Sequence, residues 1–290
     1  FIAIRKVRYD LIKRVALRYK KFPIYSIWSD ILNVFGTQFP PVMIASFFSL
    51  KFVGFYLLAN RVANAPVALI AESVGKSFFA ISVEHKENKS LQKFSLKVFE
   101  LLFKLGLGPM MVFAIIAPEL FNSVFGEQWG EAGIYLQLMM PWIFSVFVFV
   151  PLMTLYIVLE QQKIELRFQI LLIIFRLSGL GLGAVYGGIL GAIALYSLLA
   201  TIGYTLCGSW IMLKAKVKLQ QLIGVALKEF LISIFWLSPL LGIKQLQSFG
   251  FGSGNDTLLF SIAAGLIMIH LYRVKPFFLQ LNKFDKLVRG

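Results

Sequence analysis

Residues 132–159 have the sequence AGIYLQLMMPWIFSVFVFVPLMTLYIVL, which contains no charged side chain. A helix of about 20 apolar residues is long enough to cross the hydrocarbon core of a bilayer. Backbone N–H and C=O groups find no water there, so a single segment must pair them internally, as a helix does. This stretch therefore predicts a membrane-spanning helix at the centre of the chain.

Seven further stretches are of similar length and mostly apolar, and the whole chain is 58% apolar and only 15% charged. A soluble domain is about 45–50% apolar and about 25% charged, so the composition excludes an ordinary soluble enzyme. We predict an all-α, polytopic membrane helix bundle with about eight transmembrane helices. The eight windows are Ile24–Leu50, Phe52–Val83, Val98–Phe125, Ala132–Leu159, Leu166–Tyr186, Ile189–Leu213, Leu222–Ile243 and Thr257–Tyr272.

The 29 Lys and Arg residues exceed the 14 Asp and Glu residues and give a net charge of +15. Such a charge is typical of nucleic-acid-binding proteins, but here the basic residues flank apolar runs, so we expect no nucleic-acid partner. Our placement of the windows puts 22 basic residues in connections on one side and only Lys51 and Lys244 on the other. The positive-inside rule then predicts cytoplasmic N- and C-termini.

Two terminal segments are basic rather than apolar. Residues 1–23 have the pattern of a basic amphipathic helix that lies on anionic membrane lipids, with a solvated linker as an equal alternative. Residues 273–290 are predicted to form a basic cytoplasmic tail.

Motifs of soluble enzymes are absent from the sequence. It contains no GxxxxGK[ST], HExxH or GxSxG, its two histidines, His85 and His270, are far apart, and its single cysteine is Cys207. We therefore predict no catalytic residue, no metal site and no cofactor, and expect that the protein is not an enzyme.

The first window carries a polar stripe on one side of its predicted helix. Asp30 and Asn33 are three residues apart and share this side with Ser26 and Thr37. Pro40 and Pro41 follow and predict a break in the helix within the membrane, with Gln38 beside it.

The second window carries a longer stripe, and Pro66 predicts a second break in its middle. A charged group in hydrocarbon is costly unless it faces a partner or a water-filled cavity. Glu72 and Lys76 have the order and spacing of an intrahelical ion pair, so packing against a neighbouring helix is the alternative to a cavity. The polar members of the stripe are Asn60, Arg61, Asn64, Glu72 and Lys76.

Further polar residues occur in later windows, namely Gln137 in the fourth and Gln169 and Arg176 in the fifth. Lys104 and Lys228 lie close enough to the predicted ends of their helices to reach the membrane surface. Arg61 and Arg176 lie deeper, and an arginine suits phosphate oxygens. We expect these two arginines to line one polar, net-cationic cavity that accepts an anionic guest.

Two stretches carry a resemblance to a known family. The first is residues 53–66, VGFYLLANRVANAP, with Phe22-Pro23, Gln38 and Pro40 before it and Phe78-Phe79 after it. The second is residues 117–142, APELFNSVFGEQWGEAGIYLQLMMPW. Over residues 18–165 the chain resembles the second half of the polysaccharide-biosynthesis flippases. These are O-antigen and exopolysaccharide repeat-unit translocases of the multidrug/oligosaccharidyl-lipid/polysaccharide (MOP) exporter superfamily.

The resemblance implies a division of the chain into domains. Members of the family have two lobes of six helices, and often two more helices at the C-terminus. Residues 24–213 then form the second lobe and residues 214–272 the additional pair. The first lobe is expected to precede Phe1, and the expected location is the bacterial inner membrane.

The resemblance also implies a substrate, an undecaprenyl-diphosphate-linked oligosaccharide that is moved between leaflets by alternating access. On this interpretation Arg61 and Arg176 contact the diphosphate or head group, and Asp30 and Glu72 couple transport to protons or sodium. The last two helices are expected to form a groove for the lipid tail. The residues expected to bind sugar are Asn33, Gln38, Asn60, Asn64 and Gln137.

Three alternatives stay open. The first is a cation-coupled multidrug exporter of the same superfamily, whose site is expected to be acidic and aromatic. The second is an integral-membrane glycosyltransferase or acyltransferase, for which His270 is the one candidate base. The third is a packing subunit without a transport role, against which the polar stripes argue.

Overall fold

The structure is a computed structural model that describes residue 14 and residues 21–85, 90–248 and 256–289. These residues are almost entirely helical, and no strand occurs among them. The predicted amphipathic segment 1–23 lies almost entirely outside the described residues.

Nine helices and one short 3₁₀ turn follow one another along the described chain. They are α1 (Lys21–Gln38), α2 (Pro40–Phe47), α3 (Leu50–Glu84), α4 (Ser90–Phe125), the 3₁₀ turn Glu127–Trp129, α5 (Gly130–Met153), α6 (Leu155–Val158), α7 (Gln162–Lys214), α8 (Leu219–Ser248) and α9 (Asp256–Arg289).

Six helical segments within the described residues are long and apolar enough to cross a membrane. This confirms the prediction of an all-α polytopic bundle. The six are Leu50–Glu84, Ser90–Phe125, Glu127–Val158, Gln162–Lys214, Leu219–Gln245 and Thr257–Pro276.

Helix α7 contains two of the predicted windows, because the chain reverses at Gly188. This glycine has φ 61° and ψ −156°, a backbone conformation that residues with a Cβ atom rarely adopt. The two arms then pack closely, since a Cβ on Gly183 would lie 2.3 Å from the Gly191 carbonyl oxygen. Glycine at these positions lets the backbones of the two arms touch.

The two predicted proline breaks have opposite outcomes. Pro40 begins α2 after Phe39, so the first window is divided into α1 and α2, and this break is confirmed. The predicted break at Pro66 is wrong, because α3 runs without interruption from Leu50 to Glu84. A proline removes one hydrogen bond from a helix, and the neighbouring turns of α3 are long enough to continue past it.

Helix α5 lies at the centre of the bundle and packs against α3, α4 and α7. Its Leu136, Met139 and Ile143 are fully buried in the main apolar cluster. Helix α1 packs along α7, and α8 and α9 pack on the outside of α4. The division of the chain at residue 213 into a lobe and an additional pair stays a prediction.

A second, smaller apolar cluster joins α8 and α9 to α4. Val112 and Ile116 of α4 meet Leu237 and Leu240 of α8 there, with Leu259 of α9 beside them. The last two predicted spans thus attach to the bundle mainly through α4, with Leu222 of α8 reaching the main apolar cluster.

Candidate functional site

The polar face of α3 is the first part of the candidate site, and it lies largely at the surface of the described bundle. Asn64 donates from Nδ2 to the Asn60 side-chain oxygen at 2.6 Å and to the Asn60 carbonyl at 3.0 Å. Glu72 and Lys76 form the predicted ion pair at 2.5 Å, and both side chains are mostly exposed. Arg61 is exposed on this helix and makes no ion pair with any described residue.

A groove of about 480 Å³ accompanies this face where α3 meets α5. Asn64, Glu72 and Lys76 line one wall, and Val150 of α5 and Thr154, which directly follows α5, line the other. Carboxylate, ammonium and amide groups are therefore available to a ligand that lies along α3.

Arg176 occupies the opposite kind of environment, in the interior of the bundle. It is fully buried, and its Nη2 donates to the Tyr204 hydroxyl, while its guanidinium carbon lies 5.1 Å from the centroid of the Tyr204 ring. Its Nε and Nη1 have no hydrogen-bond partner. A cation over an aromatic face is stabilised by the ring quadrupole, and this partly offsets the cost of burial.

Two further tyrosines complete a cage around Arg176. The hydroxyls of Tyr56 and Tyr196 are buried and lie within electrostatic reach of Arg176 and of each other, without hydrogen-bond geometry between them. We call Tyr56, Tyr196 and Tyr204 with Arg176 the tyrosine cage. It joins α3 to both arms of α7.

Helix α1 closes the tyrosine cage through a glycine. A Cβ on Gly36 would lie 2.7 Å from Arg176 Nη1 and 3.1 Å from the side chain of Ile173. The absence of a side chain at Gly36 thus allows α1 to pack directly on Arg176.

The structure separates the two arginines that were predicted to line one cavity. Arg61 is exposed on α3, whereas Arg176 is enclosed by tyrosines and Gly36, and no described contact joins them. The physical reason is that Tyr56, which reaches Arg176, and Arg61 lie on different sides of α3. The roles assigned to both arginines stay predictions.

A row of buried oxygen atoms follows the seam between α1 and α7. Asp30 of α1 and Glu165 of α7 lie within electrostatic reach of each other. The buried side-chain oxygens without a hydrogen-bond partner along the two helices are Ser26 Oγ, Asn33 Oδ1, Glu165 Oε2 and Gln169 Oε1. We call the interface that holds these four oxygen atoms, together with Asp30, the α1–α7 seam.

Glu165 was missed as a site residue because it lies one residue before the predicted window that begins at Leu166. Its spacing to Gln169 and Arg176, four and eleven residues, places all three near one side of a helix, and this signal was available in the sequence. The proximity of Glu165 to Asp30, by contrast, depends on how α1 packs against α7.

The remaining predicted residues lie at the edges of these features. Gln38 is exposed at the end of α1, beside the break before Pro40. Gln137 is half-buried on α5. Neither joins the α1–α7 seam or the tyrosine cage through a described hydrogen bond.

An apolar groove of about 310 Å³ lies on another side of α3. Four helices line it, α3, α4, α5 and α9, and almost all of the exposed lining is apolar. Its lining includes Pro66, Ile70, Leu105, Phe113, Ile267 and Leu271. Its apolar lining suits a hydrocarbon chain rather than a polar ligand.

The fold and these features define a polytopic helical membrane protein with a polar face and an adjoining apolar groove. The family described as "Polysaccharide biosynthesis protein" matches residues 1–134, just under half of the chain. This match confirms the resemblance noted above and fits a polysaccharide-biosynthesis flippase of the MOP type. It supports a role in polysaccharide biosynthesis.

The match ends at residue 134, close to the start of α5, so Gln137, Glu165 and Arg176 lie beyond it. No curated protein and no solved structure matches the chain. The family match therefore carries no information on the roles of these three residues.

Proposed function

We propose that this protein translocates a lipid-linked oligosaccharide across the bacterial cytoplasmic membrane by alternating access, as a transporter rather than an enzyme. The substrate class is an oligosaccharide on undecaprenyl diphosphate. Residues 24–213 act as the second lobe of the transporter, with the N- and C-termini in the cytoplasm. The first lobe of the same protein is the partner with which this lobe encloses the substrate.

One observation supports this proposal above the others: α3 carries charged and amide side chains along one groove and lines an almost wholly apolar groove beside it. Asn64, Glu72 and Lys76 line the groove against α5 on one side. Pro66 and Ile70 line the apolar groove on another side. A substrate with a polar head and a long hydrocarbon tail needs both surfaces close together, whereas a soluble sugar or a small cationic drug does not.

The polar face of α3 is proposed to receive the head group. Arg61 is exposed and free of a carboxylate partner among the described residues, so its guanidinium can bind diphosphate oxygens. Asn60 and Asn64 hydrogen-bond each other and can exchange that bond for sugar hydroxyls. Gln38 and Gln137 are proposed as further sugar contacts, from the edges of the same lobe.

Arg176 is proposed to act from the interior. It is fully buried within the tyrosine cage, so in this conformation it cannot touch a substrate that lies on α3. Its contact with Gly36 makes it a support for α1, and Asn33 lies on the same helix. We propose that Arg176 positions α1 against α7.

The α1–α7 seam is proposed as the coupling site. Asp30 and Glu165 place two carboxyl groups near each other, and partner-free oxygens lie around them. Two such carboxyl groups repel when both are ionised, and a proton or a sodium ion relieves the repulsion. Glu72 is a weaker candidate, because its carboxylate is already paired with Lys76 and exposed.

The head-group role is tested by Arg61→Glu in the complete protein in cells. We expect loss of surface polysaccharide at normal expression, because a carboxylate repels the diphosphate. Arg61→Lys retains the charge and is expected to keep partial function. Arg167→Glu reverses the charge of an arginine that is exposed on α7, and it is the matched control.

The outcome separates the candidate functions as well. Normal polymer from Arg61→Glu rejects the assignment of the head-group site. A flippase defect leaves the complete lipid-linked oligosaccharide in the membrane, facing the cytoplasm, whereas a transferase defect leaves an incomplete one. Mass spectrometry of the extracted lipid-linked sugar distinguishes the two.

A further inference from the structure

Helices α8 and α9 are joined to α4 by charged groups around one buried carboxylate. Glu229 of α8 is 1% exposed. Arg273 of α9 donates from Nη2 to Glu229 Oε2 at 3.0 Å, and the Lys104 ammonium of α4 lies 4.0 Å from Glu229 Oε1. Lys104 is also paired with Glu100 of its own helix at 2.5 Å.

This arrangement requires all three helices. An ionised carboxylate buried among apolar helices is strongly disfavoured unless cations lie beside it. Helix α8 provides the carboxylate, and the two cations that compensate it come from α9 and α4. Separation of α8 from α9 would leave Arg273 without its counter-charge, and separation of α4 would leave Glu229 with Arg273 as its one cation among these groups.

His270 adds a contact of a second kind at the same place. Its Nε2 lies 2.6 Å from the Lys104 carbonyl oxygen, to which it donates. The ring lies against Gly108, where a Cβ would approach the His270 Cε1 and Nδ1 atoms to 2.6 Å. Gly108 thus forms a notch in α4 that admits the imidazole of α9.

These contacts lie directly beside the apolar groove. Lys104 precedes Leu105, and His270 precedes Leu271; both leucines line the groove. Ile267, one helical turn before Leu271, lines it as well. The position of α9 against α4 therefore decides whether the groove has its outer wall.

We propose that Glu229, Lys104, Arg273 and His270 form a latch that holds α9 against α4, with Glu229 as the positioning residue at its centre. The latch fixes the outer wall of the groove. Only the statement that this groove takes the polyprenyl chain rests on the proposed function; the latch itself rests on the contacts above.

The latch is tested by cross-linking in membranes from cells that express the complete protein. Leu105→Cys and Leu271→Cys are introduced together with Cys207→Ala, and a bifunctional thiol reagent joins α4 to α9 across the groove. We expect Glu229→Gln to lower the rate of cross-linking about tenfold, because Arg273 loses its counter-charge.

The matched control is Lys244→Gln. Lys244 pairs with Glu119 at 3.1 Å and also joins α8 to α4, but it lies in a different part of α8 and makes no described contact with α9. Its loss is expected to leave the rate of cross-linking between α4 and α9 unchanged. If Glu229→Gln does not accumulate, the neutral pair Glu229→Gln/Arg273→Gln replaces it, since it leaves neither of these two charges alone.

The results distinguish the latch from the proposed function. Cross-linking at the wild-type rate in both Glu229→Gln and the neutral pair overturns the latch, whatever happens to polysaccharide export. Slower cross-linking together with loss of export supports the latch and the lipid groove. Slower cross-linking with normal export supports the latch and rejects the groove as the site of the polyprenyl chain.

Discussion

Two regions of this molecule bury polar side chains among apolar helices, and the two regions differ in the partners that these side chains have. Where α8 and α9 meet α4, Glu229 has two cations beside it and His270 has the Lys104 carbonyl, although Glu229 Oε1 and Arg273 Nη1 make no hydrogen bond. Along the α1–α7 seam and in the tyrosine cage, side-chain atoms such as Asn33 Oδ1, Gln169 Oε1 and Arg176 Nη1 are buried without a partner.

The difference indicates different roles. A buried polar group without a hydrogen bond costs free energy, so a paired network stabilises one arrangement and an unpaired one does not. The junction, in which each charge has a counter-charge beside it, therefore suits a fixed attachment. The unpaired seam suits a region whose groups find partners in another conformation or with a bound ion, as a transporter requires.

The largest expected effect is at the paired junction. Arg273→Met removes one of the two cations beside Glu229 and is expected to lower the free energy of unfolding by about 3 kcal/mol. Unfolding in detergent with increasing denaturant measures this value. Lys244→Gln, at the partly exposed pair with Glu119, is the control and should cost less than about 1 kcal/mol. Equal losses in the two variants would remove the distinction between the latch and an ordinary ion pair.

A smaller effect is expected within the tyrosine cage, where one hydroxyl is paired and another is not. Tyr204→Phe removes the acceptor of the Arg176 hydrogen bond and should lower the free energy of unfolding by about 2 kcal/mol. Tyr196→Phe removes a hydroxyl without a partner and should be nearly neutral. Thermal unfolding of the two purified variants compares them directly. A larger loss for Tyr196→Phe would show that its hydroxyl has a partner after all.

The smallest expected effect is on the exposed face of α3. Glu72→Gln breaks a pair in which both side chains are mostly exposed, and the free energy of unfolding should change by less than about 0.5 kcal/mol. The same variant is then tested for polysaccharide export. A loss of export at unchanged stability would show that Glu72 has a functional role, whereas a loss of stability would show that this face is packed in the membrane.

Individual residues show how far sequence reasoning reached. Lys104 was expected to extend to the membrane surface, because it lies near the end of an apolar run. Its side chain is 17% exposed and lies beside Glu100 and Glu229. Glu100 is four residues away and was visible in the sequence, but Glu229 is on another helix and has no pattern that connects it to Lys104.

Arg176 shows the same limit. Helical periodicity placed it on the side of α7 that carries Gln169, and both are buried. The periodicity could not show that Tyr56 and Tyr204 enclose Arg176, because those residues come from α3 and from the second arm of α7. The predicted cavity shared with Arg61 failed for this reason.

The amino-acid composition and hydropathy pattern were enough to predict a bundle of membrane helices, the positions of most of those helices, and the break of the first predicted span before Pro40. Local chemistry decides these features, because a lipid environment forces every segment to pair its own backbone. Only the tertiary structure decided which buried charges meet: Glu229 with Arg273 and Lys104, and Arg176 with tyrosines. Such pairings depend on the rotation and register of helices that are far apart in sequence. The sequence of one helix does not indicate which other helix its polar side will contact.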